Sequence, residues 1–263
     1  MDYYGKINMS KNIEVPTSLF NRLAKHASGF DTPANVITKI LDVYEQSLPI
    51  RNNNQDIVMD AFQEVFDIEP RPFGQKTSEF TGFSDSNQGV QWNITVNRNT
   101  GQISLGVNLE GVKYDNWPIT NLLLKERDQC RLVDLINIEG AKSININMTR
   151  DAWQAAARPE IAERFITPEN LQLSELTHSQ WKNIIEQSLA CLGEKSDYRK
   201  RGTQVVYLTK SKVKKEMPTS PHLNFNIQIF DHNPANLSLL IEAVKRAKNL
   251  LMPLYVFTRD QSE

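Results

Sequence analysis

Two sets of acidic and basic side chains have the composition of a metal-dependent nuclease site. In the first, Asp85 lies before a predicted hairpin, Glu110 lies at its end, and Lys113 follows shortly after. The second, looser set comprises Asp134, Glu139 and Lys142. Carboxylates on adjoining strands can hold a divalent ion, and a nearby lysine can polarise the attacking water or the phosphate. Neither set ends a strand with a tight acid-x-lysine motif, and the same residues are typical of a solvated turn, so both interpretations stay open.

A basic segment, residues 195–215, is the better functional signal. Eight bases stand there against one acid, Asp197, which gives a local charge of +7 in a chain of net charge −1. The bases are Lys195, Arg199, Lys200, Arg201, Lys210, Lys212, Lys214 and Lys215. If residues 210–214 continue the preceding strand, their lysines share one face and form a stripe for a phosphate backbone, with Tyr198 and Tyr207 available to pack on sugar or base. The alternative is a solvated edge strand whose lysines prevent edge-to-edge aggregation.

Other chemistries have weaker support. The four histidines are scattered, and Cys130 and Cys191 lack ligand-like spacing, so no metal site is expected and both cysteines are interpreted as buried small hydrophobes. The chain has no HExxH, P-loop, GxGxxG or GxSxG motif. No cofactor is therefore expected, and only the nuclease alternative would require Mg²⁺.

The N-terminal segment predicts a strand and two helices, the layout of a ribbon-helix-helix unit. Ile13 and Val15 alternate with polar residues, Pro16 ends the strand, and Gly29 separates two stretches of helical apolar spacing. Such a unit buries its apolar face by pairing with a second copy, so the segment predicts a homodimer. The dimerisation residues would be Ile13, Val15, Leu19, Leu23, Ile37, Ile40 and Leu41. The alternative is a helical hairpin packed on its own chain.

This segment resembles the N-terminal oligomerisation domain of the SeqA family of replication regulators and, more loosely, the Arc-type repressors. The resemblance covers about a seventh of the chain. The matching positions are Ile13 to Val15, Leu19, Phe20, Leu23, Ala24, His26, Asp31 to Ala34, Val36, Ile37, Ile40 and Leu41. It implies a two-fold dimer that serves self-association while another domain grips DNA. In the Arc-type case the matching base-contacting residues would be Ser10, Asn12 and Glu14. Because Glu14 is unfavourable near phosphates, dimerisation is favoured over base recognition.

The chain length allows two domains, and residues 47–55 interrupt the helical pattern between them. Residues 1–48 would form the dimerisation and DNA-associated unit, and residues 56–263 an α+β domain with a mainly antiparallel sheet. The predicted helices of the larger domain cover residues 56–66, 119–127, 151–165, 177–192 and 236–251, with a short one opening at Thr167. The predicted strands cover residues 90–96, 103–109, 132–138, 143–148, 203–208, 223–230 and 254–258, while residues 75–88 are expected to form loops.

The composition is typical of a soluble protein, with 40% hydrophobic and 23% charged residues. No apolar run has membrane-spanning length and no signal pattern is recognisable, so we expect a cytoplasmic protein without a membrane partner. The favoured function is a homodimeric DNA-binding regulator of transcription, replication or a mobile element. The alternatives are a Mg²⁺-dependent restriction-type or defence nuclease, and a protein-interaction adaptor that binds no nucleic acid.

Overall fold

A computed structural model describes most of the chain beyond residue 52. The described ranges are 53–72, 80–85, 89–97, 99–110, 116–150, 165–194, 198, 200–208, 212–231 and 236–262. Contacts divide the chain into two units, Met1–Asn53 and Asn54–Glu263, and the elements below make up the second. The predicted ribbon-helix-helix unit, including Asn12 and every dimerisation residue named above, lies outside the described residues.

A six-stranded antiparallel sheet organises the described domain. Its order is β1-β2-β3-β4-β8-β5. The strands are β1 (Arg71–Pro72), β2 (Phe80–Asp85), β3 (Val90–Val96), β4 (Ile103–Leu109), β5 (Asn145–Arg150) and β8 (Pro221–Phe230). A separate two-stranded sheet joins β6 (Gly202–Leu208) to β7 (Val213–Thr219). Each strand pair is antiparallel, which confirms the mainly antiparallel sheet within the described residues.

Four α-helices accompany the sheet among the described residues. They are α1 (Asn53–Phe66), α2 (Pro118–Gln129), α3 (His178–Leu189) and α4 (Leu237–Ser262). Short 3-10 helices occupy Arg131–Leu135, Ala141–Ser143 and Leu173–Glu175. The described part of the chain is therefore α+β, as predicted.

The core lies between these helices and one face of the sheet. Register aligns the buried residues Trp92, Val107, Phe225 and Ile146 across four strands. Phe66 of α1 and Tyr255 of α4 contact the Trp92 ring, with centroid distances of 5.0 and 5.3 Å. Because side chains alternate along a strand, the residues between these core positions face the other side of the sheet.

The β3–β4 hairpin confirms the clearest local prediction. The Asn97 amide donates to the Gln102 carbonyl, and Gly101 adopts φ 74°. The Asn97 side chain also accepts hydrogen bonds from the backbone amides of Asn99 and Thr100. This turn is held by residues close in sequence, and it therefore could be recognised without the rest of the fold.

Several predicted elements were wrong. Residues 132–138 form a 3-10 helix and turns. The 3-10 helix begins at Arg131, where the buried Glu126 side chain accepts hydrogen bonds from the Arg131 and Leu132 amides. Residues 254–258 continue α4, whose buried residues keep helical spacing through Leu251 and Leu254 past Pro253. Residues 80–85, expected to be loop, form β2. The helix expected at Thr167 is replaced by turns and a 3-10 helix that begins at Leu173, and most of the helix predicted for 151–165 lies outside the described residues.

Cys130 and Cys191 are both buried free thiols, which confirms their interpretation. Burial raises the pKa of the Cys191 thiol above its usual value, and the nearby Arg150 charge partly offsets this effect. A thiol with a raised pKa is a poor nucleophile at neutral pH, so Cys191 has the properties of a packing residue.

A capping box begins α3 and provides a first prediction. The Thr177 hydroxyl accepts from the Gln180 amide at 3.2 Å, and the Gln180 side chain accepts from the Thr177 amide at 2.9 Å. We expect Thr177→Ala to lower the free energy of unfolding by about 1 kcal/mol, because the Gln180 amide loses its acceptor. Urea denaturation would measure this loss. Ser179→Ala, an exposed position in the same turn, is the control, and equal losses in both variants would contradict the capping argument.

Candidate nucleic-acid interface

The basic segment contains an antiparallel ribbon of two strands, so the condition that residues 210–214 continue the preceding strand is not met. We call the pair β6 and β7 the basic ribbon. Leu208 pairs with Val213, and Lys212 adopts φ 52°, so the chain reverses between these two residues. β7 itself was missed because lysines and Pro218 make it resemble a connection.

The reversal changes how the lysines are arranged. Lys214 pairs with Tyr207 and Lys215 pairs with Val206, so the two neighbouring lysines lie on opposite faces of the ribbon. The stripe of Lys210, Lys212 and Lys214 depended on a continuous strand, so the reversal removes the condition for it. Lys210 and Arg199 lie outside the described residues. A ribbon with a lysine on each face can contact phosphates from either face.

Most of the ribbon is open to solvent. Val205 is 59% exposed, Tyr207 36% and Val213 55%. Val206, Met217 and Thr219 are buried, and the apolar pair Val206 and Met217 forms a small cluster separate from the main core. Tyr207 is exposed to solvent, whereas Tyr198 is partly buried against the main core.

At the base of the ribbon, the start of β6 and the end of β7 are both connected to the rest of the domain. The Gly193 amide donates to the Lys200 carbonyl at 2.8 Å, and the Gly202 amide donates to the Cys191 carbonyl at 3.0 Å. A Cβ on Gly202 would overlap the Leu192 carbonyl oxygen, so this close approach requires glycine. At the other end, β7 passes through Ser220 directly into β8 of the main sheet. Both strands are therefore positioned by the core.

The ribbon and its base keep a positive charge in the described residues. Five bases stand against the single acid Glu216, a local charge of +4. The bases are Lys200, Arg201, Lys212, Lys214 and Lys215. Lys200 and Arg201 already make contacts within the protein. Lys212, Lys214 and Lys215 are exposed, and their ammonium groups form no ion pair with any described residue. These three are the cations best placed to meet phosphate.

The carboxylate candidates are divided between two parts of the domain. Asp85 pairs with Val90 and Val90 pairs with Leu109, so Asp85 and Glu110 lie at the same end of the sheet with β3 between their strands. Glu110 lies 3.9 Å from the His222 ring nitrogen. Asp134 is exposed in the 3-10 helix after α2, which contacts α4 on the helical side of the sheet. Glu139 and Lys142 are also exposed, and Lys113 lies outside the described residues. Among the residues that the structure describes, no three His, Cys, Asp or Glu side chains form a group suited to hold a metal ion.

A polar face on the main sheet was missed. The side of the sheet opposite the helices carries amides, hydroxyls and glycine at alternate positions of β3, β4, β5 and β8. The signal was present in the sequence, since Gln91, Asn93 and Thr95 alternate with apolar residues, as do Asn224, Asn226 and Gln228. Only the strand pairing shows that these separate segments form one continuous surface.

Comparisons with known proteins give no relative. No protein-family model matches this chain, and no curated protein or solved structure matches it significantly. None of the helices in the described ranges combines the length and apolar character needed to cross a bilayer. A functional proposal therefore depends on the geometry and charge of this chain.

Proposed function

We propose that this protein is a homodimeric, cytoplasmic DNA-binding protein, a regulator of transcription, replication or a mobile element, whose basic ribbon contacts the phosphate backbone. The observation that carries the proposal is the exposed ribbon with three lysines that have no ion pair within the described residues. Arg199, Lys200, Arg201 and Lys210 extend the same basic segment in the sequence.

The dimensions of the ribbon support this role. Each strand has seven residues, which span roughly 23 Å at about 3.3 Å per residue. The major groove admits a two-stranded ribbon, and one turn of duplex is about 34 Å long. Because the whole chain has a net charge of −1, attraction to DNA would be local and concentrated at the ribbon.

The N-terminal resemblance supports a dimer. Two copies would present two ribbons to one duplex, and avidity would rise without any new contact. Ile13 and Val15 are the proposed pairing residues of the strand, with Asn12 beside them on the outward side. Light scattering on the variant that carries Ile13→Asp and Val15→Asp would test this part, and a persistent dimer would remove the ribbon-helix-helix assignment.

The DNA proposal is tested by neutralising the two lysines of β7. In Lys214→Gln with Lys215→Gln we expect the affinity for duplex DNA to fall at least about tenfold. The slope of log affinity against log salt should become shallower by about two, because two phosphate contacts are lost. Fluorescence anisotropy of a labelled duplex across a salt series would measure both quantities.

The matched control carries Lys182→Gln and Lys245→Gln, two exposed lysines on other elements. It has the same net charge as the ribbon variant, so equal loss of affinity in both would show that only overall charge matters. Running the assay with EDTA and then Mg²⁺ separates the alternatives. Cleavage with Mg²⁺ that disappears in Glu110→Ala would favour the nuclease, and no shift at low salt would favour the adaptor.

A further inference from the structure

The two faces of the basic ribbon differ in their access to solvent. Side chains alternate along each strand, so the buried residues Val206, Met217 and Thr219 share one face. We call the opposite face the outward face. Each of its six residues is exposed, which makes it the accessible surface of the ribbon. They are Thr203, Val205, Tyr207, Lys214, Glu216 and Pro218.

Exposed apolar side chains are concentrated on the ribbon. Seven large apolar side chains are exposed among the described residues, and three of them, Val205, Tyr207 and Val213, lie in these two short strands. Val205 and Tyr207 are two residues apart in β6, so both project from the outward face. The small apolar cluster of the ribbon is formed by other residues, Val206 and Met217. Such a concentration of exposed apolar surface indicates contact with another molecule.

Tyr207 and Lys214 form a cross-strand pair on the outward face. Register places them directly opposite each other. Side chains in such positions have Cβ atoms about 4.5–5.5 Å apart, so a single ligand can contact both. The phenol ring presents an aromatic face, and the Lys214 ammonium group forms no ion pair with any described residue. An aromatic face beside a cation suits one nucleotide, whose base stacks on the ring while its phosphate meets the ammonium group.

Charge is distributed unevenly along the outward face. Lys212 lies in the turn that precedes β7, close in sequence to Lys214. Glu216 pairs with Val205, one row nearer the base of the ribbon than the pair formed by Tyr207 and Lys214. Phosphates are attracted to the lysines and repelled by the carboxylate. The charge pattern therefore favours a nucleotide at the free end of the ribbon, which we call the tip.

We propose that the tip of the basic ribbon binds an unpaired segment of DNA, with a base stacked on the Tyr207 ring and the adjoining phosphate on Lys214. This inference rests on the proposed function and defines which form of DNA the tip holds. In a duplex, neighbouring bases cover both faces of each base, so the Tyr207 ring has no base to stack on. In an unpaired strand these faces are accessible, and every base offers one.

Tyr207→Ala tests the stacking contact. Fluorescence anisotropy of the full chain, with EDTA present, would compare a labelled single-stranded oligonucleotide with a duplex of the same length. We expect saturable binding of the single strand, weakened about tenfold in Tyr207→Ala, with duplex affinity changed less than about twofold. Tyr207→Phe should bind normally, because the ring stacks and the hydroxyl does not. The salt dependence should be unchanged in Tyr207→Ala, since no charge is lost.

Two further variants make the test independent of folding. Tyr207→Thr removes the ring and keeps a residue that favours strands, so it should show the same selective loss as Tyr207→Ala. Val213→Ala removes an exposed apolar side chain from the other face of the ribbon and should leave single-strand affinity unchanged. Unchanged duplex affinity in each variant would show that the ribbon is intact.

The results separate this inference from the proposed function. Unchanged single-strand binding in both Tyr207→Ala and Tyr207→Thr, or equal losses on both forms of DNA, would overturn the stacking site. The proposed function would remain if duplex affinity still depended on Lys214 and Lys215. Single-strand binding that depends on Tyr207, without any duplex binding, would keep the tip site and contradict the duplex contact proposed for the ribbon. No binding of either form at low salt would overturn both.

Discussion

Replacing Glu126 with alanine is expected to lower the free energy of unfolding by about 3–5 kcal/mol, the largest effect of any polar substitution proposed for this domain. The Glu126 side chain is fully buried. Its Oε1 accepts from the Arg131 amide at 3.1 Å, and its Oε2 accepts from the Leu132 amide at 2.9 Å and from the Trp181 ring nitrogen at 2.8 Å. One side chain thus connects α2, the following 3-10 helix and α3.

The loss in Glu126→Ala comes mainly from the donors that remain. Two backbone amides and the buried Trp181 ring would stay without an acceptor, and each such group carries a desolvation penalty of about 1–3 kcal/mol. Glu126→Gln should lose less stability than Glu126→Ala, because its amide oxygen can replace one carboxylate oxygen as an acceptor. It should still be less stable than the unmodified protein, because its NH₂ group would face a donor and cannot accept a hydrogen bond. Urea denaturation followed by circular dichroism would measure both.

Glu186→Ala is the control for the Glu126 variants, since Glu186 is an exposed acid on α3. It should change stability by less than about 0.5 kcal/mol. Trp181→Phe removes one donor, so the combination of Trp181→Phe with Glu126→Ala should cost less than the two separate losses added together. Strict additivity would show that the Glu126 contact with Trp181 contributes little.

Gly82→Ala is expected to be the most damaging single-methyl addition in the sheet, with a loss of about 2–4 kcal/mol. Gly82 lies in β2 opposite Asn93. A Cβ there would overlap the Trp92 carbonyl oxygen and lie 2.8 Å from the Asn93 Cα atom. Both obstacles are backbone atoms of β3, so β2 must separate from β3 or shift its register to admit the methyl group.

Gly106→Ala is the matched comparison for Gly82→Ala, because it also adds one methyl group within the sheet. Its nearest obstacles are the Asn224 Oδ1 atom and the Phe225 carbonyl oxygen at 3.0 Å and the Asn93 Nδ2 atom at 3.1 Å. The two side-chain atoms can move by rotation about their own bonds, and the backbone oxygen lies farther away than the backbone atoms that a Gly82 Cβ would meet. We expect its loss of stability to be clearly smaller. Hydrogen exchange would locate the difference, since Gly82→Ala should expose the amides of β2 selectively. Equal losses and equal exchange patterns would contradict the steric explanation.

The elements that were predictable have local causes. The β3–β4 hairpin follows from alternation on both sides of a turn held by Asn97 and Gly101, and α3 follows from the capping residue Thr177 and its apolar face. The density of positive charge in the basic segment also needs no tertiary information. It predicted which part of the chain would be basic, although it did not predict the shape of that part.

The errors have non-local causes. Residues 132–138 have an apolar pattern that permits a strand, and the buried Glu126 and Trp181 side chains decide in favour of a 3-10 helix. β7 is a strand because β6 pairs with it, since its own lysines and Pro218 favour a loop. Gly82 similarly resembled a loop residue, and its role is to allow a close approach between β2 and β3.

The sequence by itself determined the local elements, the α+β composition of the described domain and the presence of a concentrated basic segment. These properties depend on residues within one or two turns of each other, where periodicity, capping and charge act directly. Tertiary structure alone decided that the basic segment reverses into a ribbon, and that Asn93 and Asn224 meet at Gly106. Such contacts arise from the pairing of strands that are distant in the chain, and a strand's own sequence does not specify its partner.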